Sequence, residues 1–251
     1  MAEETAQPGS ASEAELAGSR PEGDGRVRPW GLIATFVVAL VVIGGVAAFF
    51  YSETYKSPSG TTVAQPVGTF LVNGHAIPHV SLAFNTYPDS TGSVNGVPIH
   101  PSGNPSWPAY GPSNVYQVPA HALVTVTVHQ YDSGGSLNDP FFATVRGTVG
   151  GVARFNGKLK TSIDPNNVGH TFTVRGVPGY DSKFFLNVPL PAVGGDNQTD
   201  NGQYNTVVFS FVSGGKGTLA WNCEFPCGQM VAGFGGTMGA FGFMSGFIHV
   251  V

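Results

Sequence analysis

Cys223 and Cys227 are the only cysteines of the chain and stand four positions apart in W-N-C-E-F-P-C-G-Q-M, residues 221–230. Upstream, His170 opens the run V-G-H-T-F-T-V and offers an imidazole. Downstream, Met230, Met238 and Met244 offer thioethers in a glycine-rich loop interleaved with Phe234, Phe241 and Phe243. Thiolate and thioether sulfurs with an imidazole form a soft donor set, which suits copper better than any hard cation. A rigid scaffold that gathers such donors would impose one coordination sphere on both oxidation states, as electron transfer requires.

The same residue types also serve without metal. Two cysteines with no others to pair can form a disulfide in an oxidising compartment, provided their Cα atoms come within roughly 7 Å. They can also pack as free thiols. His170 alone could cap a strand edge with a hydrogen bond, and Met and Phe residues commonly fill gaps in cores. Trp221, just before Cys223, reads as a core residue. His121 and His129 flank or occupy the polar face of a strand and read as surface histidines, although either could bring a nitrogen ligand. His75, His79 and His100 fall in expected loops with no spacing signal.

Other chemistries find no support. The chain has no G-x-S-x-G elbow, no P-loop, no H-E-x-x-H and no G-x-G-x-x-G opening a helix. Its acidic residues are scattered rather than paired, so glycoside hydrolysis has no sequence basis. Asn197-Gln198-Thr199 is a glycosylation sequon by letter only.

The elements that must position the donors are short strands. Glycine and proline are abundant, at 36 and 19 residues, and charged residues make up only 10%, a composition that favours turns and strands over helices. Strands are expected at 67–72, 122–131, 170–174, 183–190, 205–212, 217–222 and 246–251. The alternation in L-V-T-V-T-V-H sets valines on one face and threonines on the other. The proline- and glycine-rich segment 86–118 reads as a long ordered loop. Together these predict an all-β, antiparallel Greek-key sandwich with no helix inside it.

One segment sets the location. Gly31 to Phe50 is twenty residues without a charge, enough to cross roughly 30 Å of hydrocarbon as a helix. Arg20, Arg26 and Arg28 precede it and only Lys56 follows closely, so the positive-inside rule places the N-terminus in the cytoplasm. A cleaved signal peptide is the competing reading, with a shorter apolar stretch and a small-residue cleavage site. The expected organisation is a disordered cytoplasmic tail at 1–29, a transmembrane helix at 30–51, a linker at 52–66 and an extracytoplasmic domain at 67–251. That domain is nearly neutral and lacks the basic stripe of a nucleic-acid binder.

Three pieces of sequence carry a family resemblance: His170-Thr-Phe-Thr, the following L-N-V-P-L-P, and the junction L-A-W-N-Cys223-E-F-P-Cys227-Gly228. In these the chain resembles the cupredoxins, and specifically the copper domain of cytochrome c oxidase subunit II; V-T-V-T-V-H-Q-Y-D and the methionine- and glycine-rich C-terminal loop also look like a divergent, actinobacterial branch of these proteins. The resemblance covers about residues 120–251, and it implies a cupredoxin-like sandwich with a copper centre. By that family's pattern His170, Cys223, Cys227 and the Phe225 carbonyl would be ligands. The pattern's second histidine falls on Val231 and its methionine on Phe234. Were the glycine-rich loop an insertion, Met244 would take the methionine's place, with Met230 as the other thioether. His249 falls too far along the last strand to serve.

Three functions follow as expectations. The first is electron transfer by bound copper, alongside respiratory oxidase subunits or a redox carrier in the cell membrane. The second is extracytoplasmic Cu(I) handling, since two cysteines and a methionine with one histidine favour the reduced ion. The third is a metal-free accessory subunit with a Cys223–Cys227 disulfide. None makes this chain a catalyst by itself.

Overall fold

The computed structural model describes residues 29–54, 57–88, 93–94, 97–98, 107–134, 137–181, 183–194, 203–228 and 236–251. Helix α1 spans Pro29–Thr54. Its Trp30–Ser52 stretch has a mean hydropathy of 2.7, is unburied, and is long and apolar enough to cross a membrane. A long, uniformly apolar helix has no polar face to offer water, which is the pattern of a bilayer-spanning segment.

The remainder is a β-sandwich. Its strands are β1 (Thr62–Val63), β2 (Gln65–Val72), β3 (His75–Tyr87), β4 (Ser93–Val94), β5 (Val97–Pro98), β6 (Ala109–Gly111), β7 (Val115–Val118) and β8 (Leu123–Gln130). They continue as β9 (Ala153–Phe155), β10 (Lys158–Lys160), β11 (Val168–Gly176), β12 (Phe185–Pro191), β13 (Asn205–Val212), β14 (Gly217–Asn222) and β15 (Ser245–Val250). One sheet runs β1-β7-β15-β14-β11-β12, and the other runs β10-β9-β13-β8-β3-β2 with β6 added against β3. Among the described residues, strands β4 and β5 pair only with each other.

The all-β expectation holds, while a purely antiparallel sandwich does not. Strands β3 and β8 run parallel, as do β15 and β7, and β7 and β1. Parallel neighbours need a crossover connection. Between β3 and β8 that connection visits the opposite sheet as β7, so the crossover is itself a strand instead of a helix. Three further expectations change. The stretch 86–118, read as one long loop, contains β6 and β7. The linker at 52–66 ends early, because Thr62–Val63 and Gln65 onward already belong to the sheets. His75 and His79 lie on β3, where His79 Nε2 is 2.9 Å from Thr125 Oγ1; His100 lies outside the described residues.

The core fills the space between sheets. Val124, Val126 and Val128 of β8 are fully buried, as the alternation anticipates. They face an aromatic cluster in which Phe84 stacks on Tyr116 at 4.9 Å and approaches Phe172 at 5.0 Å. Trp221 closes the cluster 4.6 Å from Tyr110 and 5.4 Å from Phe172. Buried rings of this size dominate core energetics.

Candidate metal centre

His170 sits near the start of β11. The pairing of β11 with β12 slips between Val168 and His170, leaving Gly169 as an extra residue. A bulge of this kind re-aims the side chains beside it. Beyond it, period-two alternation puts His170 on the same face as Phe172 and Val174, all fully buried. The residues between them, Thr171 and Thr173, are equally buried and are satisfied by hydrogen bonds: Thr173 Oγ1 donates to Asn187 Oδ1 at 2.8 Å and lies in hydrogen-bond contact with Thr171 Oγ1 at 3.0 Å.

The cysteines come from the connection between β14 and β15. Trp221 points into the core, and two positions on Cys223 continues that inward face just past the end of β14. The Cys223 N–H donates to the Met244 carbonyl at 2.8 Å, closing the mouth of the connection. The Glu224 N–H donates to Thr171 Oγ1 at 2.8 Å, and the Tyr110 hydroxyl donates to the Thr171 carbonyl at 2.8 Å. Glu224 itself turns outward to an ion pair with Arg175. Gly228 adopts a left-handed φ of 87°, and a Cβ there would come within 2.9 Å of Thr237, so the chain leaves Cys227 by a turn that favours glycine.

These constraints bring the donor atoms together. His170 Nδ1 lies 3.0 Å from Cys227 Sγ and 3.7 Å from Cys223 Sγ. The sulfurs are 3.4 Å apart and unbonded to each other. The Phe225 carbonyl oxygen is 3.0 Å from Cys227 Sγ and 3.7 Å from Cys223 Sγ. All three side-chain donor atoms fall within 4.8 Å of one another, each residue being buried. On its far side, His170 Nε2 meets Asp132 Oδ2 at 2.7 Å.

Electrostatics divides the three groups. Burial alone would push the His170 imidazole down, but the hydrogen bonds and charges of Asp132 and Cys223 outweigh it and raise its pKa to about 10. Burial also opposes the Cys223 thiolate, yet hydrogen bonds from Cys227, His170 and the Thr171 N–H, with the imidazolium charge, hold that thiol well below its ordinary value. Cys227 moves well up, through burial first and then through the neighbouring Cys223 and Asp132. The imidazolium is thus favoured, and the two thiols are pushed in opposite directions.

Of the residues singled out in the sequence, His170, Cys223, Cys227 and the Phe225 carbonyl converge. Met244 is fully buried and its carbonyl binds the Cys223 amide; Met238 is partly buried against the core. Met230, Val231 and Phe234 lie outside the described residues. His121 sits in the turn before β8, and His129 packs against Tyr204 at 4.9 Å. His249 lies on β15 with its Nδ1 3.1 Å from Thr218 Oγ1. Asp132 is the residue that sequence reasoning missed. It follows β8 in one sheet and meets a histidine on a strand of the other, 38 residues later, so no local pattern marks it.

The two-sheet sandwich thus gathers a strand-borne histidine and two cysteines from one connection into a buried cluster that could hold a metal ion such as copper. No protein-family model and no curated protein matches the chain. Among solved structures, the copper protein rusticyanin overlaps 82% of this chain and 94% of its own, at 16% identity and a TM-score of 0.36. Rusticyanin from Thiobacillus ferrooxidans gives 81% and 93%, with 16% identity and a TM-score of 0.32. Auracyanin B gives 75% and 97%, with 11% identity and a TM-score of 0.31. Overlaps this shallow carry no argument about what the chain binds.

Proposed function

We propose that this chain is a membrane-anchored copper protein that transfers electrons. The observation that supports it is the convergence of His170 Nδ1 and the sulfurs of Cys223 and Cys227 in one buried cluster. In this reading His170, Cys223 and Cys227 hold the ion, with the Phe225 carbonyl beside them and Met244 or Met230 as the thioether. Bound copper would supply a one-electron couple between Cu(I) and Cu(II). The protein's part is to keep the donors fixed and dry. Phe172 follows His170 on the inward face of β11, Trp221 precedes Cys223 on that of β14, and the Tyr110 hydroxyl holds the Thr171 carbonyl; the sheet hydrogen bonds resist rearrangement when the charge changes.

Burial of the three donors supports this function over Cu(I) delivery, because handing an ion to a partner needs exposed ligands for exchange. A donor set with one imidazole among the described residues favours Cu(I) and supports delivery as the second reading. The third, a metal-free accessory subunit, draws on the closeness of the two thiols. Helix α1 would be an uncleaved anchor with the sandwich on the outer face, and the partner a respiratory oxidase subunit of the kind cytochrome c oxidase subunit II serves, or a mobile redox carrier. Voltammetry of the full-length protein loaded with copper tests the choice. A reversible one-electron wave supports electron transfer. A Cu(I) complex that cannot be cycled supports delivery, and a peptide two mass units light that takes up no copper supports the disulfide.

A further inference from the structure

We propose that Asp132 is a positioning residue that locks the His170 ring with Nε2–H toward its carboxylate and Nδ1 toward the two sulfurs. A carboxylate at 2.7 Å only accepts, so Nε2 carries a proton and Nδ1 is the nitrogen left to bind an ion. Carboxylate partners of this sort orient ligating histidines and raise their basicity.

The backbone around Asp132 is built to hold that contact. The Tyr131 N–H donates to the Thr86 carbonyl at 3.0 Å, fixing the departure from β8. The Asp132 carbonyl then accepts from the Val193 N–H at 3.1 Å and from the Gln130 side-chain amide at 3.0 Å. Gly134, with a left-handed φ of 61°, lies so close to β11 that a Cβ would approach the Gly169 carbonyl oxygen to 2.1 Å. The strap Tyr131–Gly134 thus presses on the residue just before His170, at the bulge that aims the ring. Asp132 is itself buried, at 7% exposure, and its charge faces the imidazole from the side opposite the sulfurs.

The second half of the test rests on the copper reading, and the first half does not. In metal-free, nitrogen-15-labelled full-length protein, the wild type should show a downfield, slowly exchanging His170 Nε2 proton. Asp132→Asn keeps an acceptor of the same size and should retain that proton at a changed shift; Asp132→Ala should lose it. With Cu(I) added, Asp132→Ala should bind about tenfold to a hundredfold more weakly. Asp132→Asn should bind nearly as well as wild type but with a higher midpoint potential, since a charge favouring the oxidised ion is gone. Wild-type proton exchange and Cu(I) affinity in Asp132→Ala would overturn the proposal. Should that variant not fold, an Asn variant with unchanged Nε2 shift and potential overturns it equally. A wild type that takes up no copper refutes the copper reading, and the metal-free proton signal then decides the role of Asp132.

Discussion

His170, Cys223 and Cys227 share one pocket but hold their protons differently, and that asymmetry has a measurable consequence. Copper needs Nδ1 and both sulfurs deprotonated. At neutral pH His170, raised to about 10, is protonated; burial pushes the Cys227 thiol up, while hydrogen bonds from Cys227 and His170 draw the Cys223 thiol down. Loading Cu(I) should therefore release protons, from His170 and from the raised Cys227 thiol. Titration calorimetry in buffers of different ionisation enthalpy reads that release, and its absence would contradict the assignment. Replacing either sulfur, Cys223→Ser or Cys227→Ser, should weaken copper binding beyond the roughly hundredfold reached by loss of an outer partner, while leaving the sandwich folded by far-ultraviolet circular dichroism. At this scale the sequence was informative where donors are chemically distinctive. Two cysteines and an upstream histidine stand out in 251 residues. Asp132 is one acid among 15 acidic residues, and only the pairing of sheets reveals what it faces.

Among the elements, β13 and β14 match the expected bounds because each is an uninterrupted apolar alternation ended by glycine or by the cysteine turn. Strand β3 carries no strand expectation, yet two signals for it were present. Val80, Leu82 and Phe84 alternate and are buried, and Asn73-Gly74 is a favoured hairpin dipeptide joining β2 to β3. Pro78 and two histidines obscure the start of the run. Strands β6 and β7 are short and set among prolines and glycines, so burial of Tyr110, Tyr116 and Val118 identifies them where local propensity does not. The strap after β8 gives the sharpest test of an element. Gly134→Ala combines a left-handed φ with a backbone clash, and a residue forced into such a conformation costs about 1–3 kcal/mol. Thermal unfolding should show that loss, and copper affinity should fall with it as Asp132 is displaced. An alanine variant of wild-type stability would contradict the packing described.

For the whole molecule, the aromatic core and the metal centre are one structure: Trp221 and Phe172 belong to the sheet that carries His170 and leads into the cysteines. Phe172→Ala should therefore destabilise the sandwich by about 3–5 kcal/mol and broaden the copper site's spectrum at temperatures where the protein is still folded, as chemical denaturation and electron paramagnetic resonance would report. Helix α1 should keep the protein in the membrane fraction after carbonate washing, and protease added outside intact cells should reach the sandwich; release into the soluble fraction would favour a cleaved signal sequence. The claim on which the rest depends is that the His170–Cys223–Cys227 cluster binds copper. Metal analysis of the purified full-length protein, read with its visible absorption, tests it most directly. The expected result is bound copper in fixed ratio to protein with a thiolate-to-copper band that disappears in Cys223→Ser; protein without copper and without that band after reconstitution would contradict it.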